Sequence, residues 1–262
     1  MIIYNDNLDL TQIANSGQCF RWVRVNNKVW KFPIYDIWYK AWHDEINHSK
    51  IHISNVDGRE ADEVLVNHYF DLDTDYRSII NEIPEDDDYL KQAAEKYYGI
   101  RILRQDLWET MVSFIISQNN NIPRIKKNIE KLCDKNDGMF PNRFELYKMD
   151  LSDIGLGYRE EYLKNASLCL WNRWQHLSLQ CVLENSDNLK EELMEIKGIG
   201  NKVADCICLF GLHRLDSCPI DTWMKKIIET RYNGIKPEWM SSKYAGVYQQ
   251  YVFAYERSLK GK

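Results

Sequence analysis

The sequence predicts an α+β protein in which a small antiparallel sheet precedes a mostly helical domain. Two observations predict it. Short stretches rich in Trp, Tyr, Ile and Val fill the first third, and from about Asp86 onward the apolar residues recur at helical spacing. The boundary is placed near residues 84–100, giving an N-terminal α+β domain over 1–97 and a helical domain over 98–262.

The segments KVWKFPIY, IWYKAWHDEI and KIHISNV read as strands, with Asn26-Asn27 as the hairpin turn between RWVRV and KVWKF. Asp106 then stands three residues before Glu109, the spacing of a capping box. Behind it Trp108, Met111, Val112 and Ile115 fall on one apolar helix face. Pro123 suits a first helical turn, and Ile125, Ile129 and Leu132 continue that helix as one stripe. Further helices are expected at about 159–174, 188–196, 201–210, 222–231 and 243–259.

Composition excludes several classes. A chain of 262 residues with 44% hydrophobic and 28% charged residues is globular rather than disordered or fibrous. No apolar run approaches the roughly 18–20 residues that span a bilayer, so no membrane partner is expected. The opening MIIYNDNLDLTQIANSG lacks a basic stretch followed by an apolar core, and a cytoplasmic location is expected. Seven scattered cysteines, Cys19, Cys133, Cys169, Cys181, Cys206, Cys208 and Cys218, form no CxxC pair; reduced thiols and no zinc site are expected. The net charge of −5 is uneven: residues 57–88 carry −10, which leaves +5 on the other 230. A basic face is therefore compatible with an acidic total.

The most informative stretch is LKEELMEIKGIGNKVADCICLFG, residues 189–211. A helix ending near Ile196 meets Lys197-Gly198-Ile199-Gly200, and a new helix is expected after Asn201 as N-cap. The first-turn amides of that helix point outward at its positive end, which suits a phosphate; a plain glycine-capped turn explains the same pattern. Lys202 lies in the first turn, where the macrodipole opposes an ammonium and favours a nucleophilic amine. Alone it reads as a solvated surface lysine. Asp221, nineteen residues on in CPIDTWMKKII, is an N-cap candidate and also a fixed negative charge. Asn119-Asn120-Asn121 sets three polar residues after an apolar helix, the mark of a capped turn or of a surface with another use.

KGIGNKVADCICLFG followed by PIDTWMKKI resembles the helix-hairpin-helix (HhH-GPD) DNA glycosylases, in their 8-oxoguanine DNA glycosylase/AP lyase branch. SGQCFRW at 16–22, LRQDLWETMVSFIISQNNNIPRI at 103–125, LGYRE at 156–160 and AGVYQQYVF at 245–253 match the same branch in the same order, across nearly the whole chain. The resemblance implies excision of 8-oxoguanine from duplex DNA after base flipping, preferably opposite cytosine, followed by strand nicking. It makes Lys202 the nucleophile at the sugar C1′ and Asp221 the stabiliser of developing positive charge. Gly198, Gly200 and Val203 would offer amides to a phosphate, sharing the turn with a monovalent or calcium ion. Gly17, Cys206, Gln249 and Phe253 would form the base pocket: the Gly17 carbonyl would accept N7–H of the lesion, and Phe253 would stack on it. Asn119 would enter the gap left by the base, Tyr158 would wedge beside it, and Arg124 and Arg159 would read the estranged cytosine. A monomer is implied, located at the nucleoid in a prokaryote.

Two positions depart from the pattern. Trp223 stands where eukaryotic members carry His, and Pro123 replaces a small residue. Relatives with an iron–sulfur cluster hold four C-terminal cysteines; none follows Cys218 here, so no cluster is expected. Taken one at a time, Gly17 reads as a chain turn, Cys206 and Phe253 as core, and Arg124 as a surface residue. Two competing readings stand beside the enzyme: a non-catalytic DNA-binding hairpin, and a glycosylase for alkylated bases with an aromatic pocket.

Overall fold

The computed structural model describes residues 1–174 and 188–260. Five strands form one antiparallel sheet: β1 (Ile2–Tyr4), β2 (Val23–Arg24), β3 (Trp30–Ile34), β4 (Ile37–His43) and β5 (Lys50–Asn55). Their order is β1-β5-β4-β3-β2, with Trp30 opposite Ala41 and Trp42 opposite His52. Alternation in β5 buries Ile51 and Ile53 and turns Lys50 and His52 outward. The expected turn is a three-residue loop, Asn26 to Lys28: Val25 N–H meets the Val29 carbonyl at 2.9 Å, and Asn26 Oδ1 accepts from Lys28 and Val29. β1 was not legible, because three residues are too few to show a period.

The helices are α1 (Leu10–Asn15), α2 (Glu63–Tyr69), α3 (Tyr76–Asn81), α4 (Asp88–Tyr97), α5 (Leu107–Ile116), α6 (Ile122–Asp134), α7 (Arg143–Lys148), α8 (Arg159–Trp174), α9 (Leu189–Met194), α10 (Asn201–Gly211), α11 (Thr222–Arg231) and α12 (Ala245–Lys260). The acidic segment 57–88 owes part of its composition to capping: Asp62, Asp75 and Asp87 are the N-caps of α2, α3 and α4. Cys181 lies outside the described residues. Among the described residues no helix is long and apolar enough to cross a membrane.

Two compact units emerge, Met1–Arg104 with His213–Lys262, and Gln105–Leu212. This division differs from the expected split at residue 97, because the last two helices return to the N-terminal unit. α12 packs on α4 there. Trp22, the last residue of SGQCFRW, stacks on Phe32 at 4.2 Å and donates to the Tyr69 hydroxyl at 3.0 Å, so it is core. In the second unit α10 packs on α5, with Phe210 stacked on Phe114 at 5.3 Å. Gly211 permits that approach, since a Cβ there would come within 2.9 Å of Leu107 Cδ1.

Candidate active site

In the second unit the turn before α10 places Gly198 at φ +98°, where a Cβ would fall 2.3 Å from the ring of Tyr162. Both backbone and space require glycine there. Gly200 differs: its φ is −98° and nothing lies within 4 Å of a Cβ built on it. The fold has no need of a glycine at 200, where the space beside the turn is open.

Gly200, rather than the expected Asn201, is the N-cap residue of α10, and no side chain caps that end. Asn201 has already entered the helix. The amides of Asn201, Lys202 and Val203 form the first turn, while the Val203 side chain is buried. Lys202, half-buried, donates from Nζ to Ser117 Oγ at 3.3 Å and lies 5.2 Å from the centre of the Phe114 ring. Ser117 Oγ donates in turn to the Phe114 carbonyl at 2.8 Å, which leaves it an acceptor towards Lys202. The neighbouring Lys190 and Lys197 are neutralised by Asp205 and Glu161. Burial raises the Asp205 carboxyl above its usual range, with Lys190 acting against it. Cys206, on the same helix, is buried.

The three asparagines divide their work. Asn120 Nδ2 caps the end of α5 through the Ile116 carbonyl at 3.0 Å, and Asn121 is the N-cap of α6, accepting from Arg124 N–H at 3.0 Å. The capped-turn reading therefore holds for those two. Asn119 is exposed, adopts φ +46°, and donates to the Tyr158 hydroxyl at 3.1 Å. Tyr158 is 46% exposed.

The two expected cytosine readers sit differently. Arg124 is exposed and makes one guanidinium bond, to the Gly155 carbonyl at 3.1 Å. Arg159 is 5% exposed. Its Nε donates to the Gln118 carbonyl at 2.7 Å, one terminal nitrogen to Leu156 at 3.0 Å and the other to Asn119 at 3.0 Å. Its guanidinium holds main chain. Gln118, not singled out from sequence, donates its amide to the Gly198 carbonyl at 2.9 Å.

The first unit carries the other site residues. Gly17 has φ +84°, and Gln18 beside it is buried. Gln18 Nε2 donates to Ser16 Oγ and to the Arg101 carbonyl, both at 2.9 Å, and its Oε1 accepts from Leu103 N–H at 2.8 Å. This cross-link fixes the turn; Gln18 lies inside SGQCFRW, but its partners Arg101 and Leu103 are too distant in sequence to show there. Asp221 is the N-cap of α11, with Oδ1 accepting from Met224 N–H at 2.8 Å. Gln249, Phe253 and Arg257 recur every four residues on α12 and so share a face. Gln249 is buried and accepts from Gln250 Nε2 at 2.9 Å; Phe253 is half-buried and meets Trp223 edge-on at 6.5 Å between ring centres.

Two places bear on metal binding. Asp9, His43 and His48 offer ligand atoms within 4.8 Å of one another. Both ring nitrogens of His43 are already engaged, Nε2 by the Leu10 N–H at 3.1 Å and Nδ1 by the His48 carbonyl at 2.6 Å. At the hairpin, the Ile196 carbonyl accepts from Ile199 N–H at 3.0 Å and the Gly198 carbonyl from Gln118. Each of these carbonyls keeps a second lone pair.

Comparison with known proteins places the chain in a family. The sequence profile of the 8-oxoguanine DNA glycosylase N-terminal domain matches residues 1–111. The chain is similar to an N-glycosylase/DNA lyase of Saccharomyces cerevisiae, 30% identical over 88% of this chain and 70% of that protein. It is similar in fold to the Clostridium acetobutylicum 8-oxoguanine glycosylase/lyase in complex with double-stranded DNA containing cytosine opposite 8-oxoG. That match has a TM-score of 0.83 and 31% identity, and covers 97% of this chain and 93% of that one. The structure of MBOgg1 in complex with a low affinity DNA ligand matches with a TM-score of 0.85 and 32% identity over 100% and 96%. By sequence, fold and motif, the chain belongs to the 8-oxoguanine DNA N-glycosylase/DNA lyase family.

Proposed function

We propose that this protein excises 8-oxoguanine from duplex DNA and then nicks the strand, with Lys202 as the nucleophile. The observation that carries the reading is the setting of Lys202: its amine sits in the first turn of a helix whose end no side chain caps, held by a hydroxyl and an aromatic ring while Lys190 and Lys197 are neutralised. A phosphate bound by the amides at Gly200 to Val203 would bring the sugar of an extruded nucleotide to that amine.

The Lys202 nitrogen bonds to C1′ as the C1′–N9 bond breaks, and the bonding pair leaves with the base, which takes up a proton. Asp221 is the fixed negative charge that stabilises positive character on the sugar in that step. Its Oδ1 is held by the cap, which fixes where the charge sits. The amine loses a proton, the C1′–O4′ bond breaks with its pair going to O4′, which takes up that proton, and the nitrogen lone pair makes C1′ an iminium. That group acidifies the C2′ proton; its removal expels the 3′ oxygen and cuts the strand. Gly17, Gln249, Phe253 and Cys206 receive the base. Exposed Arg124 reads the cytosine, and Arg159 holds the loop that carries Asn119. Any ion at the hairpin is structural, and the chemistry runs on the chain's own residues. The enzyme acts as a monomer in the compartment that holds the genome, the cytoplasm and its nucleoid in a prokaryote.

A panel of duplexes carrying 8-oxoguanine, 3-methyladenine or an abasic site tests this, with base release and strand cleavage scored separately. The reading expects release of 8-oxoguanine coupled to nicking. Release of 3-methyladenine without nicking would favour an alkylated-base glycosylase, for which the Trp223–Phe253 pair supplies aromatic surface. Binding with neither activity would favour a DNA-binding hairpin alone.

A further inference from the structure

α12 carries one cation on the same stripe as Gln249 and Phe253, and the mechanism does not use it. Arg257 is half-buried, and its guanidinium lies 5.3 Å from the centre of the Phe253 ring. A terminal nitrogen donates to the Asn15 carbonyl at 3.1 Å. Asn15 ends α1, two residues before Gly17, and Ser16 between them is buried. One planar group therefore touches the segment that delivers the Gly17 carbonyl and the ring expected to stack on the base. The same guanidinium lies in the field of Asp221; burial pulls it below its usual range, while Tyr97 and Asp221 act the other way.

The elements that these contacts join have other anchors. Asn15 is the last residue of its helix, and α12 is already anchored on α4 by the Lys96–Ser258 and Tyr255–Gln92 bonds. The Gly17 turn has its own internal support in Gln18. What Arg257 adds is registry between two groups on different elements. An arginine suits this, because its fork donates in plane while its face lies on a ring.

We propose that Arg257 is the positioning residue of the base-recognising face, holding the Gly17 turn and the Phe253 ring at a fixed separation so that a purine with a donor at N7 is gripped between them. The proposal rests on the reading that this face receives 8-oxoguanine. An abasic substrate brings no base to be gripped, so excision depends on Arg257 more than nicking at an abasic site does.

Arg257→Met keeps length and loses charge and donors; Arg257→Lys keeps a cation and one donor direction. The expected result for Arg257→Met is single-turnover excision of 8-oxoguanine reduced about tenfold more than nicking of a preformed abasic site, as befits misplacement of a bound group. Arg257→Lys should recover part of the lost excision. Equal losses in both activities would make Arg257 a scaffold residue and overturn the proposal. Wild-type excision in Arg257→Met, or a Lys variant no better than Met, would overturn it as well. If the unsubstituted protein nicks abasic sites yet releases no 8-oxoguanine, the functional reading fails, and this inference fails with it.

Discussion

The side-chain amide of Gln118 donates to the carbonyl of Gly198 at 2.9 Å, so the loop that presents Asn119 is tied to the turn that precedes Lys202. Ser117 adds a second tie through Lys202 Nζ. In the proposed function these bonds would couple the Asn119 loop, expected to fill the gap left by the base, to the turn expected to hold the backbone. Gln118→Ala should cost about 1 kcal/mol of stability, the ordinary worth of one hydrogen bond, and slow excision more than it weakens binding to undamaged duplex. Gln118→Glu should be worse, because a carboxylate would face the Gly198 carbonyl. Thermal melts and single-turnover rates check both. Wild-type rates in the two variants would show that the tie has no role in catalysis.

The two hairpin glycines should separate fold from function. Gly198→Ala meets a positive φ and the Tyr162 ring, and should destabilise the protein by roughly 2–4 kcal/mol. Gly200→Ala has room and should cost only about 1 kcal/mol as a poorer cap. Its methyl group would obstruct the approach of a phosphate, so duplex affinity should fall by about tenfold, one lost charge-assisted hydrogen bond. Melting temperature and affinity measured together decide it; unchanged affinity in Gly200→Ala would remove the turn from the DNA-binding surface.

The arginines should part in the same way. Arg124→Ala should leave stability within about 0.5 kcal/mol and shrink the preference for cytosine over adenine opposite the lesion about tenfold. Arg159→Ala leaves the carbonyls of Gln118, Asn119 and Leu156 without their buried donor, and should cost roughly 2–4 kcal/mol. Excision opposite cytosine and opposite adenine, measured beside thermal stability, tests the division. A discrimination defect confined to Arg159→Ala would reverse the roles.

Acid should unfold the N-terminal unit through Asp71. Burial alone would raise this carboxyl, yet hydrogen bonds from His213 and Thr74 and the charge of Arg104 hold it below the usual range. The His213 and Arg104 contacts are 3.1 and 2.9 Å. A depressed folded value means the stabilisation is complete above the unfolded pKa near about 4, and is lost as pH falls through the lower folded value. Asp71→Asn should lower stability at neutral pH and flatten its decline below about pH 4. Denaturant midpoints from pH 3 to 7 check this; parallel curves for the two proteins would exclude Asp71 as the group responsible.

Much of this was legible in the sequence where one strong local signal dominated. The Trp- and Ile-rich stretches became strands β3 to β5, Asp106 became the cap of α5 and Asp221 that of α11. The hairpin was placed to within one residue, because two glycines around an apolar residue leave few conformations. What escaped were roles set by partners distant in sequence. The resemblance makes Arg159 a reader of cytosine, but nothing local in the sequence shows that its guanidinium also holds carbonyls some forty residues back. Arg257 shares the four-residue spacing of Gln249 and Phe253, but its partner Asn15 lies 242 residues away. The return of α11 and α12 to the first unit was hidden for the same reason, since unit membership is a property of packing and not of any window.

The central claim is that the Lys202 amine bonds covalently to the sugar of the damaged nucleotide. Borohydride reduction during incubation with an 8-oxoguanine·cytosine duplex tests it most directly, because only an imine is trapped. The account predicts a stable protein–DNA adduct with the unsubstituted chain and none with Lys202→Gln, which should still bind the damaged duplex. An adduct of equal yield from Lys202→Gln would contradict it.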